Sequence, residues 1–228
     1  MRIRFGLPLV VLAAVASAGC FAARGIRPVG QGKLAAGLSV GGPLFTNLGG
    51  AIPTPLVTGY ARYGVTDRTD VDAGLTIPTT RAMAIDAGAS HEILAQKGGV
   101  PAVDLGGRLN LWFNPEGVAG AKDSNGVAFK LDPEVFEEVY GYASWKLGRK
   151  TLGYVGLDLF AQVQDAIFRP SVLAGVEWRP VRLFGLQLQL EQMAFLTNQQ
   201  DSIVSFLGPG HYGALAVQLG FNFYPEAK

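Results

Sequence analysis

Phe184-Gly185-Leu186-Gln187-Leu188-Gln189-Leu190-Glu191 alternates apolar and polar side chains residue by residue. Successive side chains of a strand point to opposite faces, so this pattern gives one face of leucines and one of amides and acid. The same period recurs elsewhere. Asp70 and Asp72 alternate with Val71, Ala73 and Leu75. Asp104, Arg108 and Asn110 alternate with Val103, Leu105, Leu109 and Leu111. No segment carries a sustained helical stripe, and no period of about 20 to 50 residues repeats.

Ten alternating runs are predicted as strands, at 33–42, 55–65, 69–77, 80–90, 102–113, 136–147, 151–164, 169–180, 184–195 and 211–224. Most exceed the soluble-protein mean of about 5–6 residues and suit the roughly 9–11 that a tilted strand needs to cross a bilayer. Residues 66–68, 148–150 and 181–183 are short connections, whereas 43–54, 114–135 and 196–210 are long. Short turns at one end and long loops at the other describe an outer-membrane barrel. Connections 78–79 and 91–101 depart from that alternation.

Parity sharpens the reading. Residues that face each other across a hairpin share a face of the sheet. Turns of three residues pair Arg62 with Asp72, Ser144 with Tyr154 and Glu177 with Gln187, and also Trp178 with Leu186. One face then collects Val57, Val71, Leu75, Leu105, Leu109, Val155, Leu157, Leu159, Leu188, Leu190, Leu219 and Phe221. The other collects the charges Arg62, Asp70, Asp72, Asp86, Asp104, Arg108, Glu138, Lys146, Asp158, Glu177, Arg179 and Glu191. Hydrocarbon outside and charge inside satisfy the backbone only if the sheet closes. The fold class is therefore all-β: a single antiparallel up-and-down transmembrane β-barrel of about ten strands.

Composition agrees. Of 228 residues only 16% are charged, 49% are hydrophobic and 31 are Gly. A soluble domain carries about 25% charged residues, and a soluble lipocalin-like barrel needs that polar exterior. The mean hydropathy of +0.25 excludes disorder. A formal net charge of +1 gives no reason to expect a nucleic-acid partner, and a single Cys excludes a disulfide framework or a Cys-based metal site.

From Lys33 to Tyr224 the chain resembles small bacterial outer-membrane β-barrels. Tyr63-Gly64-Val65-Thr66-Asp67 is similar to their aromatic-Gly-x-Thr-Asp hairpins, and Leu219-Gly220-Phe221-Asn222-Phe223-Tyr224 resembles their C-terminal strand. Tyr63, Phe113, Trp145, Trp178, Phe184, Phe195, Phe223 and Tyr224 stand near run ends, as interfacial girdles do. The resemblance implies location in a bacterial outer membrane, contact with its lipid, and recognition of the C-terminal strand by the barrel-insertion machinery.

Residues 1–19 read as a cleaved signal peptide: Arg2 and Arg4, an apolar run from Phe5 to Val15, then Ala16-Ser17-Ala18. Ser17-Ala18-Gly19-Cys20 also resembles a lipobox, which implies lipid attachment at Cys20. Cleavage after Ala18 is the rival. Residues 20–32 are then an N-terminal tether, 33–224 the barrel, and 225–228 a C-terminal tail.

Catalytic patterns fail on context. Gly37-Leu38-Ser39-Val40-Gly41 matches G-x-S-x-G, but in a strand rather than a strand–turn–helix. His91 and His211 fall at opposite ends of the predicted barrel and form no metal or catalytic pair. Asp123-Ser124-Asn125-Gly126 lacks the full calcium-loop pattern. No catalytic residue, cofactor or metal site is expected. In the lumen eight acids meet four bases, which favours cations if the pore is open. Ten strands leave little room, however, and Tyr60, Tyr140, Tyr142, Trp112 and Phe160 are large, so a filled lumen is expected. The leading functional expectation is a non-enzymatic barrel with a structural or surface-interaction role. A small-solute channel and a membrane-embedded hydrolase are the alternatives.

Overall fold

The computed structural model describes residues 22–47, 50–53, 56–78, 83–113, 134–162, 167–198 and 212–225. The signal segment, Cys20, Asp123–Gly126 and His211 lie outside them. The described residues form eleven strands: β1 (Leu34–Asn47), β2 (Gly50–Pro53), β3 (Leu56–Gly64), β4 (Thr69–Pro78), β5 (Met83–Leu94), β6 (Ala102–Phe113), β7 (Glu134–Lys146), β8 (Thr151–Gln162), β9 (Ile167–Val181), β10 (Phe184–Asn198) and β11 (Tyr212–Phe223). Each long strand pairs antiparallel with its chain neighbour. Pairing of Ala36–Pro43 with Phe223–Ala216 joins β1 to β11 and closes the sheet. The barrel itself has ten strands. β2 stands outside the count because it pairs only with the outer part of β1, Leu44↔Pro53 through Asn47↔Gly50. Within the expected long connection 43–54, Leu44–Asn47 and Gly50–Pro53 thus pair as a short antiparallel ladder.

The three hairpin registers fall as parity requires: Arg62↔Asp72, Ser144↔Tyr154 and Glu177↔Gln187. A slip of one residue would turn leucines inward and carboxylates into hydrocarbon, so hydrophobicity enforces the register. Burial alternates along β3 from Leu56 to Gly64. Outward Leu157, Val139 and Leu190 are more than half exposed, far more apolar surface than a water-facing sheet tolerates. The expected connection 91–101 is shorter in fact, because β5 runs on to Leu94 and Lys97 bridges Val100 beyond it.

The aromatic girdle needs one correction. Tyr63, Trp178 and Phe223 face outward, but Tyr224 is buried and turns into the mouth of the barrel. Its hydroxyl donates to Glu177 Oε1 at 2.8 Å, and Arg179 stacks 4.1 Å over its ring. A polar partner on the inner side outweighs the interfacial preference.

Candidate functional site

The lumen holds more than side chains. The segment preceding β1, read from the sequence as a tether, turns back and runs up inside the barrel. Gly30 and Gly32 make the reversal at the short-turn rim with φ of 91° and 72°, a left-handed conformation that favours glycine. The turn is fastened to β3 by Gly32 N–H to Gly64 C=O at 2.8 Å and Gly64 N–H to Lys33 C=O at 3.0 Å.

From that turn inward, six residues bond to the wall. Gln31 N–H donates to Asp67 Oδ1 at 3.2 Å, and Val29 N–H to Asp70 Oδ2 at 3.1 Å. Arg27 Nε donates to Ser144 Oγ at 3.1 Å. The Gly25 carbonyl accepts from Arg62, and the Arg24 carbonyl accepts from Gln187 Nε2 at 3.0 Å. Ala23 is fully buried, with its N–H on Ser39 Oγ at 3.0 Å. These bonds answer the demand that buried backbone groups be satisfied where neither helix nor sheet supplies partners.

Arg24 is the centre of the arrangement. Its Nη1 lies 2.6 Å from Asp72 Oδ1 and its Nη2 lies 2.7 Å from Asp86 Oδ2. Arg108 enters from β6, 3.2 Å from Asp72, 3.4 Å from Asp86 and 2.7 Å from Glu138 Oε2. Tyr60 and Tyr140 lie under the two guanidinium groups, each 5.2 Å from centroid to Cζ. Nearer the short-turn rim, Arg62 pairs with Asp70 at 2.6 Å and Arg179 with Glu177 at 2.9 Å. Charges in so closed a site persist only when paired, and two of the pairings depend on the N-terminal segment.

The remaining sequence-derived lumen residues sort by depth. Asp104, Asp158 and Glu191 are buried in the wall, and none pairs with a Lys or Arg within 4.0 Å among the described residues. Lys146 stands outside the network. It ends β7 at the rim, its side chain is exposed, and its backbone N–H donates to Gln96 Oε1 at 2.9 Å. Its parity is inward, but the strand has already left the lumen at that point. Toward the long-loop end, Ala84, Trp112, Phe136 and Phe160 form an apolar layer, with the two Phe rings stacked at 4.9 Å.

Beside Arg24, Gly25 and Ile26 the free space is about 20 Å³, bounded by Arg62, Asp72, Asp104, Arg108 and Tyr140. A void of that size holds about one water molecule. Ser39 of the G-x-S-x-G pattern faces this interior as the acceptor for Ala23. His91 sits at the short-turn end of β5, where its Nδ1 lies 2.9 Å from Thr69 Oγ1. Among the described residues no group of three His, Cys, Asp or Glu could hold a metal ion.

Sequence reasoning missed Arg24, Arg27, Gly25 and Tyr224 as lumen residues. A signal existed: eight acids against four bases is a poor balance for a filled interior, and Arg24 and Arg27 lie just ahead of the first strand.

No family model matches the chain, and no curated protein matches it. Solved structures of similar shape include an outer-membrane channel from Pseudomonas putida F1, 12% identical with a TM-score of 0.46, covering 87% of this chain and 97% of that one. The transport unit of the autotransporter AIDA-I from Escherichia coli is 10% identical with a TM-score of 0.44, covering 94% and 96%. The KdgM porin is 4% identical with a TM-score of 0.43, covering 84% and 98%. At such identities the likeness is one of fold alone. The closed ten-strand sheet, its apolar exterior and its polar interior define the class: this is a transmembrane β-barrel of the bacterial outer-membrane type.

Proposed function

We propose that the protein is a non-enzymatic outer-membrane barrel that is closed at rest by its own N-terminal segment and serves a structural or surface-interaction role. The observation that carries this reading is the seating of Arg24 between Asp72 and Asp86, with about 20 Å³ left beside it. A hydrated ion needs a continuous water path, and the cavity beside Arg24 holds about one molecule. With the lumen occupied, recognition falls to the loops at the long-loop rim, where a rigid barrel presents its variable surface. The barrel-insertion machinery and outer-membrane lipid are the partners this reading requires, the former through Leu219–Tyr224. Lipid attachment at Cys20 belongs to the same proposal.

A channel is the second reading, and the lumen wall favours it under one condition. Withdrawal of residues 22–32 removes Arg24 and Arg27, and leaves the carboxylates of Asp72, Asp86, Asp104, Asp158 and Glu191 facing the path. Such a pore selects cations. Planar-bilayer recording separates the two. The intact barrel is expected to be electrically silent, and a chain whose mature sequence starts at Lys33 is expected to give discrete cation-selective steps. Steps of equal size from both proteins would replace the closed reading with a constitutive channel.

A further inference from the structure

The short-turn mouth contains a second cavity, about 370 Å³ in volume, where the N-terminal segment leaves the barrel. Arg27 comes from that segment, Lys146 from the end of β7, Arg149 and Lys150 from the β7–β8 turn, and Glu177 and Arg179 from β9. Five cations thus line a bowl with one carboxylate, and Arg179 already holds that carboxylate through two bonds. Among the described residues no carboxylate pairs with Arg27, Lys146, Arg149 or Lys150. Lys150 Nζ donates to the Pro180 carbonyl at 2.9 Å, a neutral partner. Burial lowers the Arg27 guanidinium below its ordinary value. Glu92 and Asp104 attract it from further off, and Arg179 repels it across the bowl. Like charges converging on a concave space are costly unless an anion joins them.

We propose that this bowl binds a phosphate-bearing anion, and that the bound anion locks the N-terminal segment in the lumen. Planar guanidinium groups match phosphate oxygens in pairs, and lysines add point charge. The volume lies in the range of small-ligand sites. One cation of the site, Arg27, belongs to the N-terminal segment, and the others belong to the wall. Anion binding and seating of the segment are therefore linked: a ligand that needs both parts together stabilises their association by its own binding free energy. The locking half of the proposal rests on the closed-barrel reading above, whereas the binding half stands without it.

Inorganic pyrophosphate is the probe. Calorimetric titration of the full mature chain in neutral detergent is expected to show saturable binding. Arg149→Ala with Lys150→Ala is expected to weaken it about tenfold or more, and Arg149→Lys with Lys150→Arg to retain most of it. Both residues sit in an exposed turn, so the variants fold. Comparison of phosphatidylcholine nanodiscs with discs containing phosphatidylglycerol locates the natural source. Equal pyrophosphate affinity in both assigns the bowl to soluble phosphates, and a loss confined to the anionic discs assigns it to lipid headgroups. Absence of saturable binding in phosphatidylcholine discs, or binding indifferent to the Ala pair, would overturn the site. A conducting barrel that still binds rejects closure, and a silent barrel that does not bind rejects the bowl. If both readings hold, pyrophosphate reduces any residual current of Arg24→Ala.

Discussion

Ser39 Oγ, at mid-height on the first strand, accepts a hydrogen bond from the backbone nitrogen of Ala23 at 3.0 Å, so the chain packs against itself sixteen residues apart inside its own barrel. This contact brings the two residues together, and a disulfide between them needs a Cα separation of roughly 4.4–6.8 Å. In a Cys20→Ala background, Ala23→Cys with Ser39→Cys is expected to cross-link under mild oxidant. The folded, unboiled form should carry the link, detected by mass spectrometry of the joined peptides. Failure to cross-link in a correctly folded barrel would place the segment elsewhere.

Arg24→Ala removes one partner from two buried pairs. Asp72 keeps Arg108 at 3.2 Å and Asp86 keeps it at 3.4 Å, so compensation is partial. Removal of one member of a buried pair costs about 3–5 kcal/mol, and the remaining guanidinium should bring this toward the lower end. The expected outcome is a lower urea midpoint of unfolding together with intermittent conductance. Arg24→Lys should recover stability only in part, because one ammonium cannot repeat the forked contact to two carboxylates.

The wall of the barrel was legible in the sequence, and its contents were not. Leu186–Glu191 announces a strand because the bilayer punishes any other assignment, and Arg62↔Asp72 follows from parity alone. The same logic drew the faces of the strands on which Asp158, Glu177 and Glu191 lie. Residues 22–33 carry no period, since a segment threaded through a lumen has no face to repeat. Many of its bonds join its backbone to wall side chains, such as Gln187 to the Arg24 carbonyl, and backbone groups leave no trace in composition. Lys146 misled for a related reason: parity tells which way a side chain points, but not where along the strand the lumen ends. Tyr224 misled because aromatic residues at strand ends mark either an interface or, as here, a mouth with a carboxylate to bind.

Glu138 and Lys146 lie on one strand and share one parity, yet their substitutions should differ sharply. Glu138 is buried and 2.7 Å from Arg108 Nη1, whereas Lys146 is in solvent. Glu138→Gln weakens a charged hydrogen bond and should cost about 1.5–3 kcal/mol. Lys146→Ala should stay within about 0.5 kcal/mol, as surface changes do. Urea unfolding from detergent or lipid, followed by gel shift, measures both. Equal costs would mean that the buried charges contribute no more to stability than those at the rim.

Gly74 offers a way to unseat the segment without touching it. A Cβ built there would lie 2.6 Å from both Arg24 Nη2 and Asp86 Oδ2, so the wall has room for the Arg24–Asp86 pair only because residue 74 lacks a side chain. Gly74→Val should leave strand pairing intact, since valine suits a strand, while displacing the guanidinium. The expected result is a heat-modifiable, folded barrel that conducts cations in a planar bilayer. Gly59→Ala is the control: nothing lies within 4 Å of a Cβ at that position, and the barrel should stay folded and silent. A silent Gly74→Val barrel that still cross-links through positions 23 and 39 would show that the wall yields before the segment does.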